Sequence, residues 1–239
     1  MPPGEIDLLD AIVFDPMQPG LYYRVHPQQI GGAAVDPLAP NPFSQARLAL
    51  TPAVSLGRQR IGMFYAADTP AGALFEALFR NATVYPGRQL YLSRSRLEGY
   101  SLSVVHLVKS IDLLPLGLPA RKLIVVDPER TKRWLHLMST PEHSETHAAA
   151  GAVAAQLAAA GQLHAGWSWP SLQFPSSTVY LLYDPPLDRA AWVLQETIAL
   201  DTPAGEAFIT DALASAGYAW LADPIGAAYG PGPADAGAL

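Results

Sequence analysis

Tyr65 and Glu76 are the residues of this chain whose types and spacing point most directly to chemistry. The apolar run at 61–67 predicts a short strand, and the residues from 70 to 82 predict a helix that begins at Pro70. An aromatic ring and a carboxylate would then lie near the end of one strand–helix unit, where functional groups often occur.

The same helix offers a purely structural interpretation of Glu76. Thr69 or Asp68 can cap the helix, and its apolar residues share one face, with Glu76 on the flank. Arg80 follows Glu76 after four residues, the spacing of an ordinary ion pair along a helix. On this interpretation Glu76 would stabilise the helix and do nothing else.

Two further polar residues have a functional and a structural interpretation. Arg24 follows two tyrosines in a predicted strand at 21–26. Its guanidinium could bind phosphate oxygens in a bidentate way, or it could lie in water on an edge strand. Ser171 could contact a substrate, or it could be a turn residue after Pro170. Ser168 and Ser176 are nearby serines that could be mistaken for it.

Several of these segments resemble the motifs of the RES-domain family, toxins that act on NAD. Phe64 to Glu76 is similar to the family signature, in which an apolar residue, Tyr and small residues precede a polar turn and Ala-x-x-Glu. The other matching segments are Tyr23-Arg24-Val25, Asn41-Pro42-Phe43-Ser44-Gln45-Ala46-Arg47 and Ala165-Gly166-Trp167-Ser168-Trp169-Pro170-Ser171. The distance from Arg47 to Tyr65 is longer than the family pattern, so Arg58 and Arg60 are alternatives to Arg47.

The resemblance implies a fold and a reaction. The fold is α+β, a single domain with a split, strongly bent mixed β-sheet flanked by helices, as in ADP-ribosyltransferase toxins. The reaction is cleavage of the bond between nicotinamide and ribose in NAD, by phosphorolysis or hydrolysis. Glu76 would stabilise the ribose cation, Tyr65 would stack on nicotinamide or ribose, Arg24 and Arg47 would hold phosphate groups, and Ser171 would contact the substrate. No metal and no cofactor other than NAD as substrate is implied.

The resemblance also implies partners. RES toxins are encoded beside an antitoxin with a helix-turn-helix domain, which blocks the NAD cleft. Inorganic phosphate and a second copy of the chain are further candidate partners. ADP-ribosyl transfer to a protein is an alternative reaction, and a non-catalytic module that keeps the cleft is an alternative of another class. A third alternative is a metal hydrolase that uses His143 and His147, which stand four residues apart.

Composition excludes several classes of function. Of the 239 residues, 50% are hydrophobic and 15% are charged, which argues against disorder. The formal net charge of −6 gives no basic field for direct nucleic-acid binding. The absence of cysteine excludes disulfides and thiolate sites. We expect no signal peptide, because the N-terminus has no basic region before an apolar run. We expect no membrane span, because the most apolar stretch, 148–160, is too short to cross a bilayer. Together these favour a cytoplasmic location.

The remaining pattern predicts strands and helices in mixed order, which favours α+β. We expect an irregular N-terminal arm at 1–20, a RES-like NAD-binding domain at 21–222 and a flexible tail at 223–239. Residues 31–60 predict a long loop. The segment 190–198 is compatible with either a strand or a helix. Further predicted elements are strands at 89–92, 101–108, 162–167 and 178–183, and helices at 129–138, 146–160 and 204–216.

Overall fold

The structure is a computed structural model that describes residues 14–80, 82–117 and 128–222. The strands within these ranges are β1 (Asp15–Met17), β2 (Gly20–Pro27), β3 (Gln29–Ile30), β4 (Ala33–Ala34), β5 (Gly62–Ala67), β6 (Thr83–Tyr85), β7 (Gln89–Tyr91), β8 (Tyr100–Leu107), β9 (Ile111–Pro115), β10 (Gly166–Pro170), β11 (Thr178–Asp184), β12 (Trp192–Ala199) and β13 (Ala219–Leu221). The helices are α1 (Pro70–Ala77), α2 (Pro128–Ser139), α3 (His143–Ala159) and α4 (Pro203–Ser215).

The main sheet has eight strands in the order β1-β9-β10-β11-β5-β2-β8-β12. Its neighbours are antiparallel except β9 and β10, which are parallel, so the sheet is mixed. Strands β5 and β2 share a single residue pair, Tyr23 with Ala67, whereas their other neighbours pair along several residues. The sheet is therefore split between β5 and β2. The predicted α+β class and the split, bent mixed sheet in a single domain are confirmed.

The sheet curls around one of its own faces. One core cluster collects side chains from the edge strand β1 to the opposite edge strand β12, including Met17, Phe64, Tyr22 and Trp192. Strands at opposite edges can share a cluster only if the sheet bends around it, so we call this the inner face. The other, outer face packs against the four helices in two further clusters.

The helices cover the two halves of the outer face separately. Helices α2 and α3 pack, through Trp134 and Val153, against β5, β10 and β11. Helices α1 and α4 pack, through Leu74 and Ile209, against β2 and β8. Helix α1 follows β5 directly, so the chain crosses from one half to the other next to the split.

Two helices begin with the same capping chemistry. The Thr69 hydroxyl accepts a hydrogen bond from the Gly72 amide at 3.0 Å at the start of α1. Thr202 does the same for Gly205 at 3.1 Å at the start of α4. In both helices proline occupies the first turn, where its missing N–H leaves no carbonyl unpaired. Asp68, the alternative cap, instead accepts hydrogen bonds from Ser177 and Thr178.

Several boundaries differ from the sequence predictions. Helix α1 ends at Ala77 rather than at 82, because Leu78 already forms its C-cap. The strand predicted at 162–167 lies at 166–170, and the ambiguous segment at 190–198 is mainly the strand β12. Part of the expected N-terminal arm belongs to the sheet, since β1 pairs with β9. The predicted tail lies outside the described residues.

The long loop expected at 31–60 is largely confirmed. Its regular structure consists of the two-residue strand β4 and one 3-10 turn at Leu56–Arg58. In the part of the chain that the structure describes, no helix is long and apolar enough to cross a membrane.

Candidate active site

Glu76 and Ser171 face each other across the outer side of the sheet. Glu76 lies in the last turn of α1 and is partly buried, and Ser171 follows the last residue of β10 and is buried. The Ser171 hydroxyl donates to the Glu76 carboxylate, with 2.5 Å between Oγ and Oε1. The same Oγ accepts the amides of Gln173 and Phe174, at 3.2 and 2.9 Å. Because both amides donate to Oγ, the hydroxyl hydrogen points at the carboxylate. The orientation of both side chains is therefore fixed.

The ion pair that sequence spacing suggested between Glu76 and Arg80 is absent. Helix α1 ends at Ala77, so Arg80 is not on the same helix as Glu76 and the four-residue spacing no longer brings them together. Among the described residues neither side chain has an ion-pair partner within 4.0 Å. The structural interpretation of Glu76 as half of a helical ion pair is therefore wrong.

Tyr65 connects this site to the loop that carries Arg47. Its side chain lies on the outer face, packed against the cluster that contains Leu48 and Met63. The Tyr65 hydroxyl donates to the Arg47 carbonyl at 2.7 Å. Burial raises the pKa of the Tyr65 hydroxyl above its usual range, so it remains a hydrogen-bond donor at neutral pH.

Arg47 is buried, with 7% of its surface exposed. Its guanidinium donates to the carbonyls of Leu137 at 2.6 Å and Thr140 at 2.7 Å, at the C-terminal end of α2. Burial lowers the pKa of Arg47, the charge of Arg80 lowers it further, and the charge of Glu76 opposes the shift. Arg47 thus lies within electrostatic reach of Glu76.

The alternatives to Arg47 lie elsewhere on the loop. Arg58 and Arg60 are both exposed. The Arg60 guanidinium lies over the Phe43 ring, 4.7 Å from its centroid. Of the three arginines, Arg47 is the one linked by the described contacts to Tyr65. Likewise, Ser168 lies within β10 and Ser176 is exposed, so Ser171 is the serine that meets Glu76.

Arg24 lies on the other face of the sheet. Because Tyr23 pairs with Ala67 and side chains alternate along a strand, Arg24 shares the inner face with Phe64. Its guanidinium is 4.4 Å from the Phe64 ring centroid and donates to the Pro37 carbonyl at 3.1 Å. Burial lowers the pKa of Arg24 to about 10, so it stays charged at neutral pH. The expectation of an edge-strand arginine in water is wrong, since β2 is an inner strand and Arg24 is 6% exposed.

A comparison with protein-family models identifies the family. The model described as "RES domain" matches residues 22–202, about three quarters of the chain. The chain belongs to the RES domain family. The matched range contains Arg24, Arg47, Tyr65, Glu76 and Ser171.

A solved structure has a similar fold. A chain in the crystal structure of the M. tuberculosis MbcT-MbcA toxin-antitoxin complex is similar, with a TM-score of 0.53 and 15% sequence identity. The match covers 85% of this chain and 97% of that chain. At this identity the similarity supports the RES fold and not a particular activity. A comparison with curated proteins finds no match.

In this RES domain, His143 and His147 are engaged with backbone. The Nδ1 atom of His143 lies 3.0 Å from the Gln45 carbonyl, and Nε2 of His147 lies 3.0 Å from the Ala46 carbonyl. In the described part of the chain, no group of three or more metal-ligating side chains is close enough to hold a metal ion. Sequence reasoning missed these contacts because they join positions about a hundred residues apart, which no local pattern records.

Proposed function

We propose that this RES domain cleaves the bond between nicotinamide and ribose in NAD. The observation that carries the proposal is the Glu76 carboxylate, which Ser171 orients at 2.5 Å and which no cation among the described residues neutralises by direct pairing. A carboxylate that is oriented by a hydroxyl and has no ion-pair partner among the described residues is suited to stabilising a developing positive charge. Membership of the RES family and the position of Glu76 in its motif support the assignment.

The chemistry follows from the charge that develops. When the C–N bond breaks, its electron pair leaves with neutral nicotinamide, and the ribose becomes an oxocarbenium-like cation. Glu76 would stabilise that cation and hold a ribose hydroxyl or the attacking group. An oxygen of water or of inorganic phosphate then bonds to the ribose carbon and releases its proton, so no redox cofactor or metal is required by the balance of atoms.

The other site residues would bind the rest of the dinucleotide. Tyr65 would present its ring edge or face to nicotinamide or ribose, while its hydroxyl stays on the Arg47 carbonyl. Arg47 retains N–H donors that the carbonyls of Leu137 and Thr140 do not use, and these would meet a phosphate. Arg24 lies beside the split at Tyr23 but on the inner face, opposite Arg47, and has one acceptor among the described residues. It would offer its remaining donors to a second anionic group that reaches the inner face.

A toxin role with a cognate antitoxin is part of the proposal. The structural neighbour comes from a toxin–antitoxin complex, and an enzyme that consumes NAD needs control by an inhibitor in the cell that makes it. We propose a helix-turn-helix antitoxin that covers the Glu76 site. Expression without it should lower cellular NAD first and stop growth afterwards, in a cytoplasmic setting where NAD is available.

The test is incubation of the purified protein with NAD, with and without phosphate, with separation of products. Nicotinamide and ADP-ribose in the absence of phosphate would support hydrolysis, and a phosphorylated ADP-ribose that requires phosphate would support phosphorolysis. NAD labelled in its adenylate part, added with cell extract, distinguishes the alternative: label on a protein indicates ADP-ribosyl transfer. Binding of NAD without formation of any product would overturn the proposed activity and would support the alternative of a non-catalytic binding module.

A further inference from the structure

The segment of residues 45–48, called here the Arg47 segment, is held mainly by side chains. Its four carbonyls accept hydrogen bonds in order from His143, His147, Tyr65 and Tyr183, at 3.0, 3.0, 2.7 and 2.6 Å. Among the described residues, the Ala46 carbonyl alone also accepts a backbone amide, that of Ala49. This segment therefore takes its conformation from distant side chains and not from regular secondary structure.

The segment needs such support because its backbone is strained. Leu48 is fully buried and has a φ of 61°, in the left-handed region where the Cβ of any residue other than glycine crowds the following carbonyl oxygen. Its amide donates to the Thr146 hydroxyl at 3.2 Å, and its carbonyl accepts from Tyr183. We expect that loss of these contacts would let Leu48 relax to a negative φ and would redirect the neighbouring Arg47.

One turn of α3 supplies three of the contacts. His143, Thr146 and His147 lie on the same side of the helix, since residues three and four apart are neighbours there. The Arg47 guanidinium reaches to the end of α2, just before α3 begins, through Leu137 and Thr140. Backbone and side chain of the Arg47 segment are thus held at the same corner between two helices.

We propose that His143 and His147 are positioning residues that hold the Arg47 segment so that Arg47 meets a phosphate group of the substrate. Each imidazole donates one ring N–H to a carbonyl, Nδ1 in His143 and Nε2 in His147. The proposal rests on the proposed function, in which Arg47 binds the dinucleotide. It assigns the pair of histidines a role that is neither metal binding nor acid–base chemistry.

The geometry of the two donors provides a sharp substitution test. The amide nitrogen of asparagine can occupy the place of Nδ1, and that of glutamine the place of Nε2. His143→Asn and His147→Gln should therefore keep the donor, whereas His143→Ala and His147→Ala remove it. His136→Ala is the matched control, because His136 is an exposed histidine on α2 that contacts Glu145 and not the Arg47 segment.

Steady-state kinetics with NAD and hydrogen exchange of the Arg47 segment are the two measurements. We expect each alanine variant to raise KM for NAD about tenfold with kcat within about twofold, the pattern of lost ground-state binding after removal of a hydrogen bond. The Leu48 and Ala49 amides should exchange faster in the alanine variants, and the asparagine and glutamine variants should resemble wild type in both measurements.

Each other outcome overturns the proposal in a recognisable way. Loss of kcat in the asparagine or glutamine variants would make the imidazole itself chemically necessary. Unchanged KM and exchange in both alanine variants would make the contacts incidental. If wild-type protein neither binds nor consumes NAD, the proposed function fails, while the exchange rates still decide whether the histidines hold the segment.

Discussion

The Arg24 guanidinium is buried and charged, and few hydrogen-bond acceptors contact it. It lies over the Phe64 ring and donates to one carbonyl, that of Pro37. The nearby carboxylate of Asp36 pairs with Arg189 rather than with Arg24. A buried cation with unused donors is destabilising unless something fills them, so this residue is either an anchor across the split or part of an anion site.

Arg24→Lys separates these roles. Lysine keeps the charge and loses the planar group that stacks on Phe64, so we expect the free energy of unfolding to fall by about 1 kcal/mol. If Arg24 also binds phosphate, KM for NAD should rise roughly tenfold at a temperature where the variant is folded. Urea unfolding and NAD kinetics on the same preparation measure both. A loss of stability with an unchanged KM would remove Arg24 from the substrate site.

At the residue scale, the sequence indicated Glu76 and Ser171 as candidate site residues but did not indicate which side chains contact each other. Glu76 and Ser171 belong to two separate segments that resemble the family pattern, and the structure places their side chains in hydrogen-bond contact. The supposed Glu76–Arg80 pair failed because it assumed a helix five residues longer than α1. The end of α1 is set by packing at Leu78 and Phe79, which are buried, and such tertiary contacts leave no local sequence signal.

At the scale of elements, α1 is the part that positions the carboxylate. Its start is fixed by the Thr69 cap and by close packing of Gly72 against Ser177, where a Cβ added to Gly72 would lie 2.0 Å from the Ser177 hydroxyl oxygen. The loop between Ser171 and Ser177 is in turn closed by a hydrogen bond from the Ser171 amide to the Ser177 carbonyl. Ser177 therefore contacts both the start of the helix that carries Glu76 and the loop that begins at Ser171.

The two threonine caps give a matched pair of variants. Thr69→Ala and Thr202→Ala each remove a hydroxyl that accepts the third amide of a helix, so each should lower the free energy of unfolding by about 1 kcal/mol. Only Thr69→Ala loosens the helix that carries Glu76, so only this variant should lose NAD turnover, by several-fold. Thermal unfolding and nicotinamide release measure the two effects. Equal activity in both variants would mean that the Thr69 cap does not help to position Glu76.

The capping sequences made α1 and α4 predictable, whereas several short strands have no recognisable sequence pattern. The Asp-Thr-Pro-Ala-Gly sequence spans the start of both α1 and α4, and the threonine caps the helix in both. Strands of two or three residues, such as β1, β6 and β13, have no periodicity to detect. They are strands because a partner is adjacent, as β9 is for β1 and β7 is for β13.

At the scale of the whole molecule, one buried histidine links stability to pH. His164 is buried between Trp167 and Tyr183, and neither of its ring nitrogens has a hydrogen-bond partner among the described residues. Burial lowers the pKa of His164 from 6.5 to about 3. The unfolded chain therefore takes up a proton below pH 6.5 that the folded chain does not, so stability is complete above pH 6.5 and falls as the pH decreases towards 3.

His164→Phe tests this linkage while keeping a ring in the pocket. Between pH 7 and pH 5 the wild type should lose about 2 kcal/mol more unfolding free energy than the variant, since each unit of pKa difference corresponds to about 1.4 kcal/mol. Urea unfolding at the two pH values gives the difference directly. Parallel losses in both proteins would mean that His164 becomes protonated in the folded state.

The overall architecture was predictable because the family resemblance and the mixed order of elements agreed. A split sheet was expected, but its position between β5 and β2 and the division of Arg24 and Tyr65 between two faces were not predictable. Face assignment depends on the strand pairing register, in this case on the single pair Tyr23–Ala67, and a sequence alone does not give that register.

The most direct test of the account is release of nicotinamide from NAD by wild type and by Glu76→Gln. Glutamine keeps the shape of the side chain and can still accept the Ser171 hydroxyl, but it removes the charge. We predict that wild type releases nicotinamide and that Glu76→Gln releases it about 10²-fold or more slowly. The thermal unfolding midpoints of the two proteins should agree within a few degrees, which shows that the variant is folded. Equal rates in the two folded proteins, or no release by wild type, would contradict the central claim that Glu76 is the catalytic carboxylate of an NAD-cleaving enzyme.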